Sequence, residues 1–148
     1  MKRWVLTIGA FWLCLTVQAQ PACLQQAAAH YKLPLDLLSA ILRVEGGRPG
    51  LAVRNTNGSF DLGPMQINTV WLSTLRARGI TLEMLRDDYC VNVAVASWIL
   101  ARELQRLPAH PSRGQLWQAT ASYHSRTPIH NYRYATRLWQ QLKMQTSP

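Results

Sequence analysis

The sequence reads LRVEGGRPGLAVRNTNGSFDLGPMQIN over residues 42–68, where a helical pattern of apolar residues ends on a carboxylate. That carboxylate, Glu45, lies four residues after Ile41 and seven after Leu38, which is the spacing of a single helix face. We therefore expect Glu45 on the buried face of a helix that Pro34 opens. Two glycines follow it directly, and glycine is preferred just past a helix C-terminus. The helix is expected to end at the carboxylate.

The expected position of Glu45 favours its neutral form. Apolar neighbours disfavour the ionised carboxylate, and the C-terminus of a helix carries partial negative charge. A carboxyl group that stays protonated near neutral pH is what a general acid for glycosidic cleavage requires. The alternative is a carboxylate that turns to solvent or pairs with Arg43, Arg48 or Arg54. Helical spacing alone does not separate the two.

The segment after this helix holds most of the turn-forming residues. Pro49-Gly50 and Asn57-Gly58 both lie within residues 48–63. This composition predicts a loop with a small hairpin at Asn57-Gly58, and β structure is expected to be confined to this segment.

The rest of the chain follows a helical pattern. The long apolar segment from Tyr89 to Leu107, capped by Asp87 or Asp88, is expected to be the central buried helix. Further helices are predicted at residues 22–31, 69–78, 81–86, 112–123 and 129–144. With 148 residues, 48% of them hydrophobic, the chain can bury one sizeable core. The predicted fold class is a mainly α, compact domain with a minimal β-hairpin.

The N-terminus has the pattern of a secretory signal peptide. A basic pair at residues 2–3 precedes an apolar run that closes on the cleavage pattern Val17-Gln18-Ala19. A retained membrane anchor is the alternative, but the run is short for a span of about 20 residues. We expect a signal peptide at residues 1–19 and one domain at residues 20–148, located in the periplasm or secreted.

Cleavage at this site removes Cys14 and leaves two cysteines, Cys23 and Cys90, in an oxidising compartment. Two cysteines can pair in only one way, so a disulfide between them is predicted. On the chain-entropy model it contributes about 4 kcal/mol to stability. Two buried free thiols are the alternative, which export disfavours.

The net charge of +9 suits a polyanionic partner. Export and the scattered positions of the arginines argue against nucleic acid. Peptidoglycan, whose peptides carry carboxylates, fits an exported basic protein better. His30, His110 and His130 have no metal-ligand spacing, so neither a metal nor another cofactor is expected.

Four segments together resemble the soluble lytic transglycosylases of the lysozyme-like superfamily. They are Glu45 followed by Gly47, GPMQIN at residues 63–68, YCVNV at residues 89–93 and ASYH at residues 121–124. The closest likeness is to the small transglycosylases that accompany type III and type IV secretion systems and pili. The resemblance covers residues 22–140 and implies a lysozyme-like fold and a monomeric glycosidic-bond lyase acting on peptidoglycan.

The resemblance also implies roles for individual residues. A single Glu before a glycine turn is catalytic in that family, which implies this role for Glu45. The family's motif glutamine binds the saccharide, which corresponds to Gln66, and Met65 is expected to line the cleft. The tyrosine of an Ala-Tyr-Asn motif orients the catalytic Glu, which corresponds to Tyr123. Tyr134 resembles a tyrosine that lies near the cleft in the last helix, so it is expected to bind the saccharide.

Three positions depart from the family pattern. Gly46 replaces a serine, Pro64 replaces an apolar residue, and His124 replaces the asparagine after the motif tyrosine. The first two changes are expected to reshape the cleft wall. His124 either hydrogen-bonds the sugar or only ends a helix.

Asp61 leaves the reaction open. Residues 55–68 are also similar to the hairpin of c-type lysozymes, whose second catalytic carboxylate falls at this position. Paired with Glu45, it would give a hydrolytic muramidase. Alternatively, Asp61 accepts backbone hydrogen bonds and holds the turn, as the resemblance to the transglycosylases favours. A non-catalytic module that binds wall glycan is a further alternative.

Overall fold

Helix α5 (Tyr89–Leu104) forms the centre of the protein in a computed structural model that describes residues 19–146. The other α-helices within these residues are α1 (Ala19–Tyr31), α2 (Leu35–Glu45), α3 (Leu72–Arg76), α4 (Leu82–Asp87), α6 (Arg113–Ala121) and α7 (Pro128–Thr146). Helices α1, α4 and α6 pack against α5, whose residues Val93, Ala96 and Leu100 are fully buried. The predicted central helix is therefore confirmed.

The predicted hairpin forms and is part of a three-stranded antiparallel sheet. Its strands are β1 (Ala52–Arg54), β2 (Phe60–Leu62) and β3 (Ile67–Asn68), in that order. The amide of Asn55 donates to the Ser59 carbonyl oxygen at 2.8 Å across the hairpin turn, and Gly58 takes a φ of 84° there.

Strand β3 lies beyond the segment to which β structure was expected to be confined, so that prediction is wrong. Leu62 pairs with Ile67 across a tight turn at residues 63–66. Gly63 makes this turn possible because it adopts a φ of 68°. The sheet is thereby extended toward α5, which contacts β3.

Local caps start the helices as predicted. The side chain of Asp88 accepts hydrogen bonds from the amides of Cys90 and Val91 at the start of α5. Thr81 caps α4 in the same way, and Ser112 caps α6 within a capping box.

Several helices end earlier than predicted. After Asn68 the chain makes a single 3-10 turn at Thr69–Trp71, and α3 then ends at Arg76 instead of Arg78. The amide of Arg78 returns to the carbonyl of Leu75, three residues back, so the helical hydrogen-bond pattern stops there. Helix α5 likewise stops three residues before Leu107.

A disulfide joins Cys23 in α1 to Cys90 in α5, with Cα atoms 5.2 Å apart. The predicted pairing is confirmed, as is the fold class, a mainly α, lysozyme-like domain with a minimal sheet. The predicted signal peptide, residues 1–19, lies outside the described residues except for Ala19, the first residue of α1. Among residues 19–146 there is no helix with the length and apolar character to span a membrane.

Candidate active site

Glu45, the last residue of α2, lies in the wall of a cleft with a volume of about 620 Å³. The wall also includes residues of the hairpin turn, of β2 and β3, of the turn at Thr69–Trp71 and of the segment 122–126 after α6. Gln66, Ile99 of α5 and His130 of α7 complete it. Helix α2 packs against α7, which places the middle of α7 behind the carboxyl group.

Glu45 is held in a largely desolvated position. The hydroxyl of Tyr134 in α7 donates a hydrogen bond to Glu45 Oε1 at 2.6 Å. Burial raises the pKa of Glu45 to about 7, against the lowering effects of the Tyr134 hydrogen bond and the charge of Arg137, and the negative charge of Asp61 adds to the rise. The group can therefore give up a proton and take it back near neutral pH.

The C-terminus of α2 has two features that favour this arrangement. Gly46 adopts a left-handed φ of 63° and donates its N–H to the Leu42 carbonyl oxygen, which ends the helix directly after Glu45. Arg137 Nη2 donates to the Val44 carbonyl oxygen at 2.8 Å. The arginine offsets the partial negative charge of the helix end.

Gly47 lets the chain after α2 pass directly over the turn at residues 63–66. A Cβ at this position would lie 2.7 Å from Gln66 Nε2 and 2.8 Å from the Pro64 carbonyl oxygen. Gln66 has a φ of 49°, which is uncommon for a residue with a side chain, and its Nε2 donates to the Gly63 carbonyl oxygen at 2.8 Å. These contacts hold the Gln66 amide in the cleft wall.

Asn92, fully buried in α5, supports the same turn from beneath. Its Nδ2 donates to the carbonyl oxygens of Leu62 and Leu85 at 2.9 and 2.7 Å. Its Oδ1 accepts from the Met65 amide at 2.8 Å. Although Asn92 lies in one of the motifs noted above, no role was predicted for it. The sequence feature that could have indicated a role for Asn92 is a polar residue within the apolar helix α5.

His124 stacks on Tyr134 and lines the cleft. The two ring centroids are 4.6 Å apart and the ring planes differ by 4°. Burial and the positive charge of Arg137 lower the pKa of His124, whereas the charge of Asp61 raises it. The imidazole is therefore neutral at neutral pH and can both donate and accept a hydrogen bond.

Asp61 lines the same cleft as Glu45. Its Oδ1 accepts a hydrogen bond from Asn68 Nδ2 at 2.7 Å, across the pair of strands β2 and β3. Asp61 therefore stabilises the pair of strands through a side-chain hydrogen bond, whereas hydrogen bonds from backbone amides were expected. Among residues 19–146 no group of three or more His, Cys, Asp or Glu residues could hold a metal ion.

Residues 22–132 match the family model of the transglycosylase SLT domain, a range that includes Glu45 and the residues lining the cleft and ends before Tyr134 and Arg137. The chain belongs to this family. The predicted family is thereby confirmed, and so is the predicted class of enzyme, a peptidoglycan lytic transglycosylase.

Three relatives extend the similarity over most of the chain. The chain is 31% identical over 143 residues to "Invasion protein IagB" of Salmonella typhimurium strain LT2, covering 93% of this chain and 80% of that protein. It is 35% identical over 128 residues to "Protein IpgF" of Shigella sonnei, covering 86% and 78%. A "Peptidoglycan-binding-like protein" of Escherichia coli O157:H7 is 27% identical over 148 residues, covering 90% and 85%.

The SLT domain brings most of the predicted site residues to one cleft. The lining includes Glu45, Asp61, Gln66, Tyr123 and His124. Met65 does not belong to it: its side chain is fully buried, because the turn at residues 63–66 points it into the core while its backbone faces Asn92 and Tyr123. The expectation that Met65 lines the cleft is corrected accordingly.

The hydroxyl groups of Tyr123 and Tyr134 make contacts that differ from those predicted. The hydroxyl of Tyr123, predicted to orient Glu45, donates to the Met65 carbonyl oxygen at 2.7 Å. The direct contact with Glu45 comes from Tyr134, which was expected to bind the saccharide. Tyr123 therefore supports the turn that carries Gln66.

An ion pair between Glu103 and Arg126, which was not predicted, holds another part of the cleft wall in place. Glu103 in α5 is only 7% exposed, and Arg126 Nη2 donates to its Oε1 at 2.7 Å and its Oε2 at 3.0 Å. Arg126 lines the cleft two residues after His124. A lone carboxylate near the end of an apolar helix could have indicated that Glu103 has a partner. The sequence could not identify that partner, because Arg126 is 23 residues away.

Proposed function

We propose that the protein cleaves the β-1,4 bond between N-acetylmuramic acid and N-acetylglucosamine without water, with Glu45 as its single catalytic residue. The observation that carries this proposal is a carboxyl group with a pKa of about 7 in the wall of an open cleft. Such a group can serve as acid in one step and as base in the next.

In the first step, protonated Glu45 donates its proton to the glycosidic oxygen. The bond from C1 of the muramoyl residue to this oxygen breaks, and the leaving sugar departs with a hydroxyl group. The 2-acetamido group of the muramoyl residue stabilises the cationic C1. The Tyr134 hydroxyl and the charge of Arg137 stabilise the carboxylate that remains.

In the second step, the Glu45 carboxylate accepts the proton of the C6 hydroxyl, and O6 forms a bond to C1. The product is a 1,6-anhydromuramoyl end, and Glu45 regains its proton. Gln66 and the neutral imidazole of His124 line the cleft and supply hydrogen bonds to the sugar.

Mass spectrometry of digested sacculi tests this reaction. We expect anhydro ends with no water added, and no products from Glu45→Gln. Reducing ends from the wild-type protein would contradict the proposal. Wall cleavage by Glu45→Gln at the wild-type rate would remove Glu45 from the catalytic role.

Hydrolysis is the second candidate, because Asp61 lines the cleft and its charge raises the pKa of Glu45. A hydrolase with two carboxylates should lose nearly all activity in Asp61→Asn. A transglycosylase should keep most of its activity, since Asn at this position can still bond Asn68. The same product analysis on this variant separates the two reactions.

The proposed site of action is the periplasm, after cleavage of residues 1–19, in the service of a secretion, conjugation or pilus apparatus. The similarity to a protein named for invasion supports such a link. N-terminal sequencing of the exported protein should begin at residue 20. Deletion of its gene should reduce assembly of the apparatus, and restoration by the wild type but not by Glu45→Gln would tie this effect to wall cleavage.

A further inference from the structure

The outer face of α7 exposes a stripe of side chains that includes aromatic, apolar and basic residues. The stripe consists of Ile129, Tyr132, Thr136, Trp139 and Lys143, spaced three or four residues apart. Ile129, Tyr132 and Trp139 are 52%, 72% and 50% exposed. Side chains at this spacing lie on one face of a helix.

Two neighbouring side chains contact the ring of Trp139. Trp117 of α6 packs edge-on against it with ring centroids 5.6 Å apart. Lys143 Nζ lies 5.3 Å from its ring centroid. The indole is thus held in one position at the surface beside a cation.

The C-terminal third of the chain is exclusively cationic in its charged side chains. After Glu103 the sequence contains no Asp or Glu through residue 148. Its cations over the same range are Arg106, Arg113, Arg126, Arg133, Arg137 and Lys143. Arg106 and Arg126 pair with Glu103, and Arg137 donates to the Val44 carbonyl oxygen. Because α6 and α7 contain no acidic residue, this part of the protein still carries an excess of positive charge, which favours an anionic surface.

The stripe faces away from the cleft. His130 lines the cleft, and Tyr132 lies two residues later, roughly 200° farther around the helix. A surface bound to the stripe therefore leaves the cleft open to glycan.

We propose that the outer face of α7 docks the protein on an anionic phospholipid surface. Tyrosine and tryptophan rings favour the headgroup region of a bilayer, and basic residues beside them are attracted to anionic lipid. The combination of Tyr132, Trp139 and Lys143 with Ile129 has this composition. The inference is independent of the proposed reaction, since it concerns a different face of the domain.

Sedimentation with vesicles tests the docking. The protein, as residues 20–148, should pellet with vesicles of phosphatidylethanolamine and phosphatidylglycerol, and far less with vesicles of phosphatidylcholine alone. Binding should weaken with added salt. Tyr132→Ser, which removes an exposed ring without opening the core, should weaken binding about tenfold. Arg133→Gln should weaken it about fivefold.

Matched controls place the effect on α7. Phe60→Ser removes an exposed aromatic ring from β2, and Arg76→Gln removes an exposed cation from α3. Both should bind vesicles nearly as wild type does. The proposal fails if the wild type does not pellet with anionic vesicles at low salt, or if the controls lose as much binding as the α7 variants. It also fails if the α7 variants lose binding to sacculi or to a protein partner while vesicle binding is unchanged.

Discussion

At Glu45, burial raises the pKa while the Tyr134 hydroxyl and the charge of Arg137 lower it. Tyr134→Phe removes a hydrogen bond that favours the carboxylate, so the pKa of Glu45 should rise further. We expect the alkaline limb of the kcat/KM pH profile to move to higher pH. We also expect kcat to fall about tenfold, because the carboxylate formed after proton transfer is less stable. Steady-state kinetics on soluble glycan fragments across pH measure both effects.

Tyr132→Phe is the matched control, since Tyr132 is on the same helix and its ring is exposed. Its pH profile should coincide with that of the wild type. An equal shift in both variants would mean that the Tyr134 hydroxyl does not act on Glu45 directly.

Glu45 also makes the stability of the fold depend on pH. Its pKa rises from 4.5 to about 7 on folding. The contribution of this shift to the free energy of unfolding is therefore fully present below about pH 4.5 and is lost as the pH rises through about 7. Glu45→Gln should therefore be more stable than wild type by about 1–3 kcal/mol near pH 8. This gain should shrink toward acidic pH. Urea unfolding across this pH range measures it, and a gain that does not change with pH would contradict the raised pKa.

At the scale of elements, the Glu103–Arg126 pair ties α5 to the segment that carries Tyr123 and His124. Arg126→Gln should lower the free energy of unfolding by about 2 kcal/mol, because the nearly buried Glu103 loses its shortest contacts. Since this segment lines the cleft, KM should also rise. Urea unfolding and steady-state kinetics measure the two effects.

Arg106→Gln is the control for this pair. Arg106 reaches the same carboxylate only at 3.2 and 3.4 Å and lies one helical turn away on an exposed surface. Its loss should cost much less stability and leave KM unchanged. Equal effects of the two substitutions would show that Arg126 does not position the cleft wall.

Elements could be predicted from the sequence where the determining contacts are local. Asp88 and Ser112 bond amides within three residues, so the starts of α5 and α6 could be predicted. Gly46 marked the end of α2 for the same reason. The early end of α3 could not be predicted, because the turn after Arg76 competes with a helical pattern that continues in the sequence.

At the scale of the whole molecule, the identity of the neighbours of Glu45 depends on packing between distant helices. The contact with Tyr134 spans 89 residues and follows from the packing of α2 against α7. The family resemblance assigned the contact with the carboxylate to Tyr123, whereas the packing of α2 against α7 gives it to Tyr134. The buried position of Met65 has the same origin, since the turn at residues 63–66 is oriented by Asn92 in α5.

The disulfide acts on the stability of the whole fold. Cys23 and Cys90 are separated by 67 residues, so the bond restricts a long loop of the unfolded chain. Replacing both residues by serine should lower the free energy of unfolding by about 4 kcal/mol on the chain-entropy model. Neither cysteine lines the cleft, so kcat of the folded double variant should remain near that of the wild type. Urea unfolding should give the same midpoint for the double variant with and without reductant, while reductant should bring the wild type to that midpoint. A reduced wild-type protein that is as stable as the oxidised form would show that packing of α1 against α5 compensates for the cross-link.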